Sequence, residues 1–295
     1  MLESGHTLPF VKGHGLGNDY LVVDARDLPW PLTPRRIAAI CERHRSAGSD
    51  GLLVAFPEQR PFQLRIFNPD GSEAEKSGNG LRIFGAYLHA LGLVGEEPFA
   101  VGLSRDEVSL RVEAVLPGGA LVVSVDIGAA SFRGADVGFR PEPGEALGYE
   151  LDLGAGQLAT INTVSLANPH CVVFVEDLDR SDFLARAPLI ATHTAFAAGT
   201  NVQFARVAGQ RRLEVWIHER GVGETQASGT SACAAAAAAV RLGRVAPGEL
   251  EVAMPGGEVQ VGVGEDFVLR LRGPVQLICT GRFTAGVLES WGLLG

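Results

Sequence analysis

Two stretches of the sequence place a Ser-Gly pair directly before an apolar run that is typical of a helix. They are Gly71-Ser-Glu-Ala-Glu-Lys-Ser77-Gly-Asn-Gly80 and Gly223-Glu-Thr-Gln-Ala-Ser228-Gly-Thr-Ser231, and in both a glutamate stands four residues before the serine. A helix start of this kind presents unpaired backbone N–H groups and a partial positive charge. Glycine lets a ligand come close to these groups, so each stretch is suited to binding a carboxylate or a phosphate.

The two stretches form an internal repeat, which suggests a reaction that uses both. Two copies related by a pseudo-twofold axis would direct two helix starts, each with a hydroxyl group, at one point between two halves of the protein. Hydrogen-bonding groups on opposite faces of a bound carboxylate are suited to moving a proton at the adjacent carbon. Serine is also a favoured N-cap, and capping and function can coexist at the same residue.

The pattern of apolar residues predicts more strand than helix. A mostly antiparallel α+β fold is favoured over a parallel, doubly wound one. Helices without a polar face, such as those after Gly80 and Thr230, must be enclosed by sheet. Four helices are expected: one capped by Thr33, one from about Gly80, Arg180–Leu189 and one over 230–242. Alternating residues predict strands at Tyr20–Asp24, Leu52–Phe56, Gln63–Phe67, Glu107–Val115, Leu121–Ile127, Cys171–Glu176, Asn201–Val207, Arg212–His218, Leu250–Met254, Glu258–Val263 and Phe267–Arg272.

The repeat also predicts the domain organisation. We expect an N-terminal half over residues 1–130 and a C-terminal half over 131–278, with the tail 279–295 returning to the first half. The stretch from Phe132 to Glu150 is rich in glycine and proline and lacks periodicity, so it is interpreted as the connection between the halves.

Composition excludes several classes of function. Acidic residues outnumber basic ones 34 to 25, a net charge of −9, so nucleic acid is not an expected partner. The longest apolar run, 232–240, is far shorter than the ~20 residues of a membrane-spanning helix. The N-terminus lacks the pattern of a signal peptide, and the four cysteines lack zinc-ligand spacing. We therefore expect a soluble cytoplasmic protein with no metal and no membrane partner.

Six stretches, taken together and in order, resemble the diaminopimelate epimerase family. The resemblance implies two similar halves, each a sheet wrapped around a central helix, with the active site in the cleft between them. It implies cofactor-free inversion of LL-diaminopimelate to the meso isomer by two bases, and a homodimer. The stretches are Lys12-Gly-His-Gly-Leu-Gly-Asn18-Asp19, Phe67-Asn68-Pro-Asp-Gly-Ser-Glu73, Ser77-Gly-Asn-Gly80, Asn168-Pro-His170-Cys171, Gly199-Thr-Asn201 and Glu219-Arg220-Gly-Val-Gly-Glu-Thr-Gln226.

The resemblance also implies roles for individual residues. Ser77 and Ser228 occupy the two acid/base positions, and His170 and Glu219 are the neighbours that poise them. Five of the six asparagines of the chain fall at ligand positions, and an amide suits a zwitterion because it both donates and accepts. The distal amino-acid end of the substrate would be held by Asn18, Asn68, Asn168, Asn201 and Arg220. The reacting carboxylate would be held by backbone N–H groups of Gly78, Asn79, Gly229 and Thr230.

The sequence departs from the family pattern at both bases, where the family carries cysteine. A thiol has a reference pKa of ~8.5, which a helix N-terminus lowers, whereas a serine hydroxyl needs an adjacent base. The serines are either engineered replacements, or natural residues of a slow or different enzyme, or the mark of a catalytically silent relative. Gly51 is a further departure, because the family pattern tends to place a polar side chain there. The alternatives to the epimerase are a racemase, tautomerase or dehydratase acting on another amino acid, and a non-catalytic amino-acid-binding protein.

Overall fold

The computed structural model describes residues 7–28, 30–142 and 144–292, which form two compact units. Unit 1 comprises the chain up to Val125 and from Pro274 onward, and unit 2 comprises Asp126–Gly273. Residues 1–6, part of the segment on which the expectation of no signal peptide rests, lie outside the described residues.

Unit 1 contains the first eight strands and three of the five helices in the described part of the chain. Strand β8 (Leu121–Ala129) continues past the end of unit 1, and the long strand β17 (Val268–Phe283) returns the chain to unit 1 before helix α5 (Ala285–Ser290). The other elements are β1 (Leu8–Gly15), β2 (Asn18–Asp24), α1 (Pro34–Cys41), β3 (Leu52–Phe56), β4 (Phe62–Phe67), β5 (Glu73–Ala74), α2 (Gly78–Ala90), β6 (Phe99–Gly102) and β7 (Glu107–Val115).

Unit 2 contains the middle strands and two helices, together with the first part of β17. Its elements are β9 (Leu147–Gly154), β10 (Gln157–Ser165), β11 (Pro169–Phe174), α3 (Arg180–Ala191), β12 (Asn201–Gly209), β13 (Arg212–Glu219), β14 (Gly223–Thr225), α4 (Gly229–Arg241), β15 (Gly248–Met254) and β16 (Gly257–Val263).

The two units repeat one order of strand pairing. In unit 1, β1 and β2 are antiparallel, β2 and β3 parallel, β3 and β4 antiparallel, and β4 pairs parallel with β6. Unit 2 has the same series in β10, β11, β12, β13 and β15. Helices α1 and α3 connect the first parallel pairs, and α2 and α4 connect the second. The internal repeat inferred from the Ser-Gly stretches is therefore a repeat of the whole topology.

A buried helix lies at the centre of each unit. Eleven of the thirteen residues of α2 and twelve of the thirteen of α4 are buried against strands of their own unit. Alanine dominates α4 because its side chain occupies little space and loses no rotamer entropy in a helix. Strand exceeds helix, 45% against 21%, and most pairings are antiparallel. The expected α+β fold with two similar halves around apolar helices is confirmed.

The connection predicted over 132–150 is wrong. The described residues of this stretch lie inside unit 2, and Phe139 is 1% exposed in its core. The ring of Phe139 packs against Tyr149 and Phe196 with centroids 5.0 Å apart in each pair. Glycines here, such as Gly138 with φ of 67°, turn the chain so that it covers one side of the core. The glycine content therefore reflects turns within the unit.

Strands β1, β5, β6, β9, β10 and β14 were not predicted. Strand β9 does alternate, with Leu147, Tyr149, Leu151 and Leu153 at every second position, but its first residues were assigned to the connection. The other strands are short or lack a regular alternation. In β10 the polar residues Asn162 and Thr163 are buried. Asn162 donates to Val172 O at 3.0 Å and accepts from Gly148 N at 2.9 Å, so its amide joins β10 to both neighbouring strands. A buried amide with such partners costs little, but it makes the strand look polar in the sequence.

Candidate active site

The hairpin of β1 and β2 places Asn18 beside the first turn of α2. Residues Leu16 and Gly17 form its two-residue turn, with φ of 55° and 87°, the positive values that suit a tight hairpin. The ring of His14 accepts from Gly17 N at 3.1 Å and fixes the turn. At Gly15 an added Cβ atom would lie 3.0 Å from Arg82 Nη2 and 3.3 Å from Asn79 Oδ1, so a larger residue there would press on these two side chains.

A chain of side-chain amides joins the hairpin to α2. Asn79 Nδ2 donates to Asn18 Oδ1 at 2.9 Å, and Asn18 Nδ2 donates to Asp50 Oδ2 at 3.0 Å. The oxygen of Asn79 accepts from the guanidinium of Arg82, a residue that is fully buried. Each amide is therefore held at both its nitrogen and its oxygen, and its orientation is fixed before a ligand binds.

Four charged side chains hold this series of hydrogen-bonded amides in place. Lys12 Nζ lies 2.9 Å from Asp19 Oδ2, and Arg43 Nη2 lies 2.8 Å from Asp19 Oδ1 and 2.6 Å from Asp50 Oδ1. Burial pushes the pKa of Asp19 upward, but the hydrogen bonds from Arg43 and Lys12 outweigh it, and the pKa lies below its usual range. Asp19 therefore stays ionised, and Asp50 accepts from the Asn18 amide and holds its orientation.

Ser77 is the N-cap of α2. Its backbone is extended, with φ of −138°, and its Oγ accepts from Gly80 N at 3.1 Å. The hydroxyl of Tyr20 lies 3.2 Å from the same Oγ. Gly78 and Asn79 follow it, both buried, in the first turn, where N–H groups lack partners within the helix. The predicted helix start is therefore present with the predicted residues.

Ser228 occupies the equivalent place before α4, but its hydroxyl does not cap the helix as that of Ser77 does. It is 6% exposed, and no capping hydrogen bond from its side chain to α4 occurs within the described structure. Gly229 and Thr230 follow it, both buried. The two Ser-Gly stretches therefore share a backbone arrangement while their hydroxyls differ in partners.

His170 is fully buried, and both ring nitrogens have partners. Gln203 Nε2 lies 3.1 Å from Nδ1, and Asn168 Oδ1 lies 2.9 Å from Nε2. Because an amide nitrogen only donates and an amide oxygen only accepts, the proton resides on Nε2. Burial, together with the charge of Arg220, lowers the pKa of His170 to about 3. The ring is thus a neutral group that orients Asn168.

A second group in unit 2 joins Asn201 to Arg220. Asn201 Nδ2 donates to Pro169 O at 3.1 Å, and Asn201 Oδ1 accepts from Arg220 N at 2.9 Å. The exposed Arg220 side chain is held by a hydrogen bond from Nη1 to Ala198 O at 3.0 Å. The guanidinium keeps further donors for a ligand.

Two of the predicted residues, Asn68 and Glu219, lie at the ends of equivalent strands. Asn68 follows β4 and donates to Ser72 Oγ at 3.0 Å within its own turn. No hydrogen bond among the described residues joins it to Asn18 or Asn79. Glu219 ends β13 opposite Gly223, at the place in unit 2 that Asn68 has in unit 1.

Sequence reasoning missed Tyr20, Arg82 and Gln203 as members of these groups. One signal was available for Tyr20, since it follows Asn18 by two residues just as His170 follows Asn168. Arg82 and Gln203 lie within apolar runs of a helix and a strand, and no pattern in the sequence distinguishes them.

The described residues contain no helix long and apolar enough to cross a membrane. Among the same residues, no group of three or more His, Cys, Asp or Glu side chains is arranged to hold a metal ion.

Solved structures with little sequence identity share the fold of this chain. A hydroxyproline epimerase from Agrobacterium vitis superimposes with a TM-score of 0.72 over 99% of this chain and 98% of its own, at 13% identity. That likeness concerns the fold.

The sequence comparisons define the family. The diaminopimelate epimerase family model matches residues 10–133 and 162–278. Diaminopimelate epimerase 2 of Nostoc sp. is 38% identical over 95% of this chain and 97% of its own length. Diaminopimelate epimerase of Geobacillus kaustophilus is 37% identical over 92% and 95%. The chain belongs to the diaminopimelate epimerase family.

Proposed function

We propose that this protein inverts one α-carbon of LL-diaminopimelate to give the meso isomer, with Ser77 and Ser228 acting on opposite faces of that carbon. The observation that carries the proposal is the repeated helix start. In both units a Ser-Gly pair opens a buried helix, in a chain 38% identical to a diaminopimelate epimerase along almost its whole length.

The helix starts supply the electrostatic part of the reaction. Gly78 and Asn79 in one unit, and Gly229 and Thr230 in the other, offer backbone N–H groups to the carboxylate next to the reacting carbon. Loss of the α-proton places negative charge on this carboxylate, and fixed donors stabilise that charge most where it develops. The chemistry needs two proton-transferring groups and these donors, and the residues named here provide both.

The amide groups and Arg220 supply the grip on the other end of the substrate. Asn18, Asn168 and Asn201 are each oriented by a hydrogen bond, and the Arg220 guanidinium carries a positive charge for the distal carboxylate. Asn68 joins this set by its match to the family motif. A substrate with two amino-acid ends fits such a set, whereas proline has only one.

Conversion of LL-diaminopimelate to the meso isomer, resolved by chiral chromatography, tests the proposal. The protein is compared with its Ser77→Cys/Ser228→Cys variant, and proline serves as the control substrate. Inversion of diaminopimelate but not of proline by the unaltered protein supports the proposal. Turnover by the double cysteine variant alone would show an epimerase site in which serine does not serve as the base.

The same assay separates the alternative functions. Binding of diaminopimelate in calorimetry, with no inversion by either version, would identify an amino-acid-binding protein. Inversion or loss of water from another amino acid, with diaminopimelate untouched, would identify a different enzyme of the fold group. The proposal includes a homodimer, which the family resemblance implies, and a cytoplasmic location, which the sequence pattern favours. A mass near 62 kDa in light scattering, twice the 31.0 kDa of one chain, would support the dimer.

A further inference from the structure

A tyrosine hydroxyl lies against the serine that opens α2. Tyr20 is 7% exposed, and its hydroxyl is 3.2 Å from Ser77 Oγ. Its ring lies against the backbone of Gly51, where an added Cβ atom would come within 2.5 Å of Tyr20 Cε1. The absence of a side chain at residue 51 is therefore what makes room for the tyrosine.

The repeat shows which residues in unit 2 correspond to this pair. In the parallel ladder of β11 and β12, His170 stands opposite Asn201. The next pair in that ladder is Cys171 and Val202, which corresponds to Leu21 and Leu52 in the ladder of β2 and β3. Tyr20 and Gly51, one position earlier, therefore correspond to His170 and Asn201. Two polar side chains in unit 2 are thus matched by one large phenol and a glycine in unit 1.

The hydrogen bonds around Ser77 Oγ permit proton movement in both directions. Gly80 N–H donates to Oγ, which fills one of its two acceptor positions. If the Tyr20 hydroxyl also donates to Oγ, both positions are filled, and the Ser77 proton points away from both partners. If instead Ser77 donates to Tyr20, Oγ retains one open acceptor position. Rotation of the two hydroxyls converts one state into the other.

We propose that Tyr20 is the proton-relay partner of Ser77 in the reaction proposed above. In the acid direction, the Ser77 O–H bond breaks as the Cα–H bond forms, and the Tyr20 proton moves to Ser77 Oγ. The resulting phenolate then takes a proton from a solvent hydronium ion, which becomes water. The base direction starts with Tyr20 as the phenolate: Ser77 Oγ takes the α-proton while its own proton passes to the phenolate, and the phenol so formed releases that proton to water as hydronium. A phenol, with a reference pKa of ~10, is a far stronger acid than a serine hydroxyl.

The inference rests on the proposed function, and it is specific to one of the two serines. The described hydroxyl contact involves Ser77 alone. A cysteine at the same place would need no relay, because a thiol forms its own anion. Dependence on Tyr20 should therefore disappear when Ser77 becomes cysteine.

The test compares Tyr20→Phe in two backgrounds, the unaltered protein and the Ser77→Cys/Ser228→Cys variant. In the unaltered protein we expect kcat to fall by about 10²-fold or more, the scale of general acid–base catalysis, with KM changed by less than about threefold. In the cysteine background the loss should be under about fivefold. Tyr149→Phe, which removes a phenol hydroxyl in unit 2, is the matched control and should match its parent.

The outcomes separate this inference from the proposed function. Equal losses in both backgrounds, or a loss under about threefold in the unaltered protein, would overturn the relay. Turnover only by the cysteine variant would also overturn it, while leaving the substrate assignment intact. If neither version turns over diaminopimelate, the proposed function fails and the relay in that reaction falls with it.

The Tyr20–Ser77 pair itself has a readout that does not depend on activity. The chain has three tyrosines, so ¹³C-labelled Cζ signals can be assigned with Tyr20→Phe. A hydroxyl that can donate to the phenolate lowers its pKa, so Ser77→Ala should raise the pKa of Tyr20 and leave the Tyr87 signal unchanged. An unchanged Tyr20 titration would refute the pairing.

Discussion

Asn79 Nδ2 donates to Asn18 Oδ1 at 2.9 Å, across 61 residues of sequence. This bond joins two of the six stretches on which the family resemblance rests. The amide of Asn79 thereby serves two structural roles, since its oxygen accepts from the buried Arg82. In the proposed site the backbone N–H of Asn79 binds the reacting carboxylate. The side chain of Asn79 orients Asn18, which binds the distal end of the substrate.

Substitution of Asn79 should destabilise the fold. In Asn79→Leu the buried guanidinium of Arg82 loses this acceptor, and we expect the free energy of unfolding to fall by about 1–3 kcal/mol. Chemical denaturation measures the change. Asn68→Leu, in a half-buried turn, is the control and should cost under about 1 kcal/mol. Equal effects at the two asparagines would contradict the role assigned to the Asn18–Asn79–Arg82 chain.

His170 should remain neutral throughout the working range of pH. Burial lowers its pKa to about 3, so its ring signals in NMR should not titrate between pH 5 and 9, and the proton should be found on Nε2. In the unfolded chain the same group takes up a proton below about pH 6.5. Protonation of His170 in the unfolded chain therefore lowers the free energy of unfolding below about pH 6.5, and His170 makes no such contribution above about pH 6.5.

The sign of this effect gives a second readout for His170. As pH falls from about 6.5 toward 3, stability should fall by up to about 1.4 kcal/mol per pH unit from this group alone. His170→Gln should lack that component, while His44→Gln, at an exposed histidine, is the control and should retain it. Ring signals of His170 that titrate near pH 6.5 would contradict the buried, neutral state.

Arg220 should affect substrate binding far more than folding. Its side chain is exposed and contacts Ala198 O, so Arg220→Ala should leave the melting temperature within about 2 °C. Loss of one charge-assisted contact of about 1.5–3 kcal/mol should lower kcat/KM for diaminopimelate by about 10- to 100-fold, mainly through KM. Arg180→Ala, which removes another exposed arginine of unit 2, is the control. Unchanged catalytic efficiency in Arg220→Ala would refute the proposed grip on the substrate.

The alanine-rich helix α4 should not tolerate larger side chains. Ala235 is fully buried in the middle of the helix, so Ala235→Leu should overpack the unit and cost about 1–3 kcal/mol. Ala90→Leu, at the exposed end of α2, is the matched control and should change the stability by under about 0.5 kcal/mol. Thermal denaturation compares the two, and a stable Ala235→Leu variant would show that α4 is less tightly enclosed than described.

Local signals in the sequence were enough to find the elements that carry the helix starts. Thr33 followed by Pro34 marks the beginning of α1, and the Ser-Gly pairs mark α2 and α4 within one or two residues. These signals are reliable because capping depends on neighbouring residues alone. The strands with clear alternation, such as Glu107–Val115, were located with equal accuracy.

Features that depend on tertiary contacts could not be predicted in this way. The glycines of β1 are close to α2, which is visible only once the helix is in place. The hydrogen-bonding groups of Asn162 in β10 find their partners on the neighbouring strands. Phe139 is a core residue although it lies in a stretch whose composition is typical of a linker. Similarly, the Tyr20–Ser77 contact joins residues 57 apart, and the sequence offers one signal for it, the place of Tyr20 two residues after Asn18, which matches that of His170 after Asn168.

The most direct test of the two-serine proposal is the fate of deuterium during turnover of LL-diaminopimelate in D2O. If one group removes the α-proton and another delivers a proton from solvent, the first meso product should carry one deuterium at the inverted carbon while the remaining LL substrate stays unlabelled. Proton NMR combined with chiral separation measures both. Deuterium in the LL substrate before inversion would contradict two opposed bases, and absence of exchange in either isomer would contradict serine-based epimerisation.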